Sequence, residues 1–227
     1  MTSKIISVSL TPFVEKGKMR FVLTWADAPA DLDIYSLFRI SEERKCNVFF
    51  GHKKCEGVSL DADNFMGGTK GAETITVDFL ENYIYSFVIS KYVDLSQNGL
   101  APGEERVEEA PVENPIQLDE LPPDTQLYES KAKLSIFIPG LEQSLLSIYV
   151  PSSNSKENLL HESDKKIGEN KEFNWWHVFC LNGAKGLESL KTINKLTLAI
   201  PGHDYCEKIY FNEPGFDSIV PRPPKNA

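Results

Sequence analysis

Short runs of β-branched and aromatic residues return roughly every 8–15 residues along this chain, each closed by Gly, Pro, Asp or Asn. They fall at residues 5–10, 20–25, 34–40, 47–50, 74–79 and 83–92, then at 133–138, 145–150, 174–181, 195–200 and 208–211. Alternation of apolar and polar residues is clearest in Thr74-Ile75-Thr76-Val77-Asp78-Phe79 and in the run from Tyr83 to Ile89, so one face of each is expected in a core. A chain punctuated this often has no room for long helices. The pattern predicts an all-β antiparallel sandwich, with a short helix within 156–172 and one or two helical turns within 186–194.

Between residues 94 and 129 the β pattern gives way to Pro, Glu, Gly, Gln and Asn. This stretch cannot bury enough apolar surface to offset the entropy of ordering it, and is expected to be an extended or disordered insertion. It carries ten acidic residues and one basic residue, Arg106, and so accounts for the whole formal charge of −9. The remaining acidic and basic residues balance, and the body lacks the concentrated Lys and Arg that nucleic acid or anionic lipid selects. The expectation is a single domain over residues 1–220 interrupted by the 94–129 insertion, with a flexible Pro-rich tail at 221–227. No run reaches the roughly 20 apolar residues needed to span a bilayer, and residues 1–10 alternate like a strand where a secretory signal would be apolar. Membrane insertion and nucleic-acid binding are not expected, and a cytoplasmic location is.

Two aspartate pairs carry the chemistry. Asp31-Leu32-Asp33 precedes a strand-like run, and Asp61-Ala62-Asp63 precedes the glycine-dense stretch Gly67-Gly68-Thr69-Lys70-Gly71. Residues two apart on extended backbone project to one side, so four carboxylates meet if the two segments meet. Calcium takes about 6–8 oxygen ligands. Asp31, Asp33, Asp61 and Asp63, completed by Glu73 or Asn64 and by carbonyls of Gly67 and Gly68, are a possible set. Without an ion the same aspartates would fix turns by accepting backbone N–H bonds. Both readings stand at this point.

The other motifs are plainer. Cys46 and Cys55 fall opposite one another if a two-residue turn sits at Phe50-Gly51, as a cross-strand disulfide in an oxidising compartment or as two buried thiols in the cytosol; the cytosolic form is expected. With His52 they are too loosely spaced for zinc. In Trp175-Trp176-His177 the first and third residues share one strand face. The expected role is core packing by Trp176, Val178 and Cys180 or by the alternate face, against a carbohydrate platform or a catalytic His177. The chain has no Gly-x-Ser-x-Gly elbow and no phosphate-cradling loop.

The residues Leu23-Thr24-Trp25, Pro29-Ala30-Asp31-Leu32-Asp33-Ile34, Leu60-Asp61-Ala62-Asp63, Gly67-Gly68 and Glu73-Thr74-Ile75-Thr76-Val77 resemble the pattern of a family of poorly characterised β-sandwich domains found in bacterial exported and protist proteins. The resemblance covers residues 18–92 well and 131–183 weakly, with Tyr35 standing where that family often has histidine. It implies an immunoglobulin-like or related sandwich with the aspartates at one end of the sheets, and brings no enzymatic activity. The leading functional expectation is a non-catalytic binding or scaffold protein, part of a larger protein assembly. The alternatives are a calcium-dependent binding or adhesion module and, last, a hydrolase or carbohydrate-active enzyme using His177.

Overall fold

The protein, described here from a computed structural model, is defined over residues 14–64, 67–68, 72–78, 80–92, 125–167 and 171–211. The strand expected at 5–10, the acidic stretch through residue 124 and the tail at 221–227 lie outside the described residues. Among the described residues eleven strands are present: β1 (Met19–Thr24), β2 (Leu32–Arg39), β3 (Lys45–Val48), β4 (Lys54–Cys55), β5 (Val58–Ala62), β6 (Glu73–Val77), β7 (Ile84–Lys91), β8 (Lys133–Phe137), β9 (Leu146–Tyr149), β10 (Trp175–Asn182) and β11 (Lys191–Thr197). The same residues include two short α-helices, α1 (Glu162–Ile167) and α2 (Asp204–Phe211), and several single 3-10 turns, one of them Leu187–Ser189.

The strands form two antiparallel sheets, an all-β sandwich. One runs β4-β5-β6-β1-β8-β9 and the other β11-β10-β7-β2-β3. Strands from either side of the acidic segment interleave. β8 pairs with β1 on the edge opposite β6, and β10 pairs with β7 on the edge opposite β2. Alternation places Phe21 and Leu23 of β1, Ile75 and Val77 of β6, and Leu134 and Ile136 of β8 against Ile34, Phe87, Ile89 and Trp176 of the facing sheet. Phe21 lies at the centre, its ring 4.2 Å from that of Phe87 and 5.8 Å from that of Phe179.

β7 is buried on both faces. Tyr85, Phe87 and Ile89 face the core between the sheets, while Ile84 belongs to a smaller outer cluster with Cys180, Cys206 and Tyr210 that α2 closes. The expected strand at 208–211 is therefore incorrect. Lys-Ile-Tyr-Phe is rich in β formers, but the stretch buries Cys206 and Tyr210, four residues apart, on one side of a helix, and Lys208 pairs with Asp204 one turn back at 2.6 Å.

The turn at Phe50-Gly51 forms, with Phe49 and His52 exchanging backbone hydrogen bonds of 3.2 and 3.0 Å. Cys46 and Cys55 then oppose one another with Cα atoms 6.1 Å apart and are joined as a disulfide, in place of the expected free thiols. The hairpin carries the chain from the edge of one sheet to the edge of the other. Cys180 and Cys206 form a second bridge, Cα–Cα 5.5 Å, between β10 and α2. Among the described residues no helix is long and apolar enough to cross a membrane.

Phe21→Ala should cost about 3–5 kcal/mol, since it empties a fully buried ring site that touches both layers. Urea unfolding, with the slope unchanged and the midpoint lowered, checks this.

Candidate metal centre

β3 pairs with β2 only from Ser36 to Arg39, so among the described residues no strand covers that edge of the first half of β2, which lies beside β6 of the other sheet. Glu73, the first residue of β6, fills that edge. Its Oε2 accepts the Ile34 amide at 2.7 Å and its Oε1 accepts the Asn64 amide at 3.4 Å, although the side chain is fully buried. Strand parity turns Leu32 and Ile34 into the core and leaves Asp33 on the opposite face, where it is only 3% exposed. Carboxylate oxygens of Asp31, Asp33 and Glu73 all lie within 4.8 Å of one another. Oδ1 of Asp31 and Oδ2 of Asp33 are buried and have no hydrogen-bond partner.

The loop feeding Asp31 into this corner is tightly stitched. Trp25 Nε1 donates to the Pro29 carbonyl at 2.9 Å, Gly67 N–H to Ala30 at 2.7 Å and Gly68 N–H to Ala26 at 3.0 Å. A Cβ on Gly68 would fall 2.2 Å from the Trp25 carbonyl oxygen, so only glycine allows this approach. Asn64 braces the turn from the other side, its Nδ2 donating to the Gly67 carbonyl at 3.0 Å. That carbonyl, expected as an ion ligand, thus accepts a hydrogen bond within the turn.

The expected four-aspartate cluster is only half formed. Asp61 is exposed and accepts from Ser59 Oγ at 2.8 Å, and Asp63 is exposed and paired with Lys53 at 2.9 Å. A register irregularity in β5 explains this. Leu60 opposes Ile75 and Ala62 opposes Thr74, so Asp61 is the extra residue of a bulge and the two-residue alternation is lost there. Asp63 stays near enough for its charge to act on the half-buried Asp31 and the buried Asp33 and Glu73, which cluster without Asp61.

Burial, reinforced by mutual repulsion, pushes the three carboxyls upward: Asp31 to about 6, Asp33 to about 8 and Glu73 to about 10. The phenol of Tyr35, on the same strand face as Asp33, is raised by the same burial and the same charges. Tyr35 stacks on Phe49 at 5.1 Å and meets Trp175 edge-on at 5.3 Å. Phe50 and Tyr92, both exposed and 6.1 Å apart, extend this aromatic wall to the surface.

Trp176 is buried in the core, as expected, with Nε1 donating to Asn194 Oδ1 at 2.8 Å. Cys180 is not with it. A bulge between His177 and Phe179 sets Val178 and Phe179 both inward and returns Cys180 to the outer face beside His177. His177 is fully buried, with Nε2 2.9 Å from Ser86 Oγ, and burial drives its imidazole down to about 3. Among the described residues the side chain has no exposed surface. This outer cluster escaped the sequence reading because residues 177 and 180 face opposite ways on an unbulged strand.

Compared with known proteins, the chain matches no family model, no curated protein and no solved structure.

The folded state holds protons on Asp31, Asp33 and Glu73 at pH values where the unfolded chain, with ordinary carboxyls near 4, holds none. Stability from this source is full below those unfolded values and is lost as pH rises through about 6, 8 and 10. In chelator, the melting temperature should therefore fall between about pH 5 and about pH 9. Asp33→Asn should flatten that fall and melt above wild type at about pH 8, as read by calorimetry.

Proposed function

We propose that the protein is a non-catalytic binding module that holds a hard divalent cation, calcium by preference, on Asp31, Asp33 and Glu73. The observation that carries this reading is Asp33, which is 3% exposed, has a carboxylate oxygen with no hydrogen-bond partner, and lies within 4.8 Å, oxygen to oxygen, of the half-buried Asp31 and the buried Glu73. Two oxygens on opposite sides of a calcium, each at about 2.4 Å, are about 4.8 Å apart, so one ion can touch all three groups. Oxygen-only donors and mixed exposure favour a hard cation with water completing its shell, and three carboxylates with no soft ligand argue against zinc or copper. A bound cation would replace the shared protons and turn a repulsive cluster into an attractive one. Lys53, paired with Asp63 at the margin, keeps the fourth carboxylate close without burying it.

The aromatic wall beside the ion supplies a contact surface. Tyr35 and Trp175 are half-buried while Phe50 and Tyr92 stand out, an arrangement suited to a partner that meets the ion and the rings together.

The scaffold reading draws support from a different place. Among the described residues β9 is the outer strand of its sheet, with Leu145, Leu146 and Tyr149 exposed at and beside it, where a strand of a partner protein could add. On this reading a protein partner in a larger assembly pairs with β9, and the cation site serves to fix the opposite sheet corner.

Calcium at about 100 times its Kd should raise the melting temperature of wild-type protein by about 5–10 °C. Asp33→Ala should remove the shift, while Asp61→Ala should leave it intact. No heat in calorimetric titration with calcium or magnesium, and no thermal shift, would overturn the ion reading.

A further inference from the structure

The cluster under α2 has a geometry that a disulfide alone does not require. Nε2 of His177 lies 3.7 Å from Cys180 Sγ and 3.5 Å from Cys206 Sγ, with all three residues fully buried. In a tetrahedral zinc site with Zn–S about 2.3 Å and Zn–N about 2.05 Å, the nitrogen-to-sulfur edge is about 3.6 Å. Both edges are therefore already near the length a zinc ion would set. A disulfide holds its sulfurs about 2.0 Å apart, and a tetrahedral ion wants them about 3.8 Å apart, a difference that rotation of the two cysteine side chains spans. Ser86 Oγ, 2.9 Å from the same Nε2 and also fully buried, stands at the fourth side, as a ligand itself or as the hydrogen-bond partner of a bound water.

We propose that Cys180, Cys206 and His177 form a structural site for zinc or a similar thiophilic divalent cation when the chain folds in a reducing environment. The chemistry balances simply. A dithiol or phosphine reductant supplies two electrons, and two protons from water complete the conversion of the Cys180–Cys206 bond into two thiols. Zinc then displaces both thiol protons and takes the Nε2 lone pair, leaving the imidazole proton on Nδ1. Since these side chains have no exposed surface, the ion enters during folding and not by exchange into the finished domain. Either bond does the same mechanical work, pinning α2 to β10. Ion and disulfide are alternatives set by the compartment in which the chain folds.

The site is independent of the acidic cluster, which uses oxygen donors in a different part of the fold, so either can fail alone. The test is to unfold the full chain in a phosphine reductant, refold it without oxygen in the presence of cobalt(II), and record its absorption. Thiolate-to-cobalt charge transfer together with intense tetrahedral ligand-field bands, stoichiometric with protein, is the expected result. The bands should persist in Cys46→Ser/Cys55→Ser and in Asp33→Asn, shift in His177→Gln, and vanish in Cys180→Ser/Cys206→Ser. Should that last variant not fold, zinc X-ray absorption on wild type decides: a shell of two sulfurs with imidazole supports the site. No bound metal, an all-oxygen shell, or bands that survive loss of Cys180 and Cys206 would overturn it.

Discussion

The hydrogen bond from the Ile34 amide to the buried Glu73 carboxyl ties the two sheets together where their strand pairing leaves off. β3 is too short to cover the first half of β2, and a backbone donor there would otherwise be stranded between layers. A carboxylate is a strong acceptor for that donor, but it imports charge into a corner already lined by Asp31 and Asp33. The acidity of the site is thus a consequence of how the sandwich closes its corner. Protons or a cation must accompany it, and the unpartnered oxygens of Asp31 and Asp33 point to where either would sit.

Much of this was legible in the sequence, and the misses have physical causes. Strand-length runs and their alternation named nearly every described strand, since burial of one face every second residue leaves a direct trace. The hairpin at Phe50-Gly51 was legible because turn length fixes register, and that register brought Cys46 to Cys55. Of the aspartates expected to converge, Asp31 and Asp33 come together with Glu73 while Asp61 does not, since a bulge breaks the alternation that the expectation assumed and leaves no mark in composition. Cys180 was misplaced for the same reason. Residues 208–211 were read as strand because four β-prone residues outweighed a period of four visible only when Asp204 and Cys206 are included.

The two proposed ion sites divide the cation world between them. Asp31, Asp33 and Glu73 offer charged oxygen at a corner that borders solvent, suited to an ion that keeps some water and exchanges. Cys180, Cys206 and His177 offer sulfur and nitrogen in a sealed space, suited to an ion that loses its water and stays. β7 separates them, contributing Ser90 opposite Asp33 in the ladder and Ser86 beside His177.

Consider finally how β1 acquires its neighbours. Its partner on one side, β6, follows about 50 residues later, but β8 on the other side is more than 100 residues away and is translated after the acidic stretch. On the ribosome, Met-Arg-Phe-Val-Leu-Thr therefore waits with bare amides and carbonyls along one flank, a template for pairing with any neighbouring nascent chain. What emerges during that wait is a run of glutamates and prolines, neither of which extends a ladder readily.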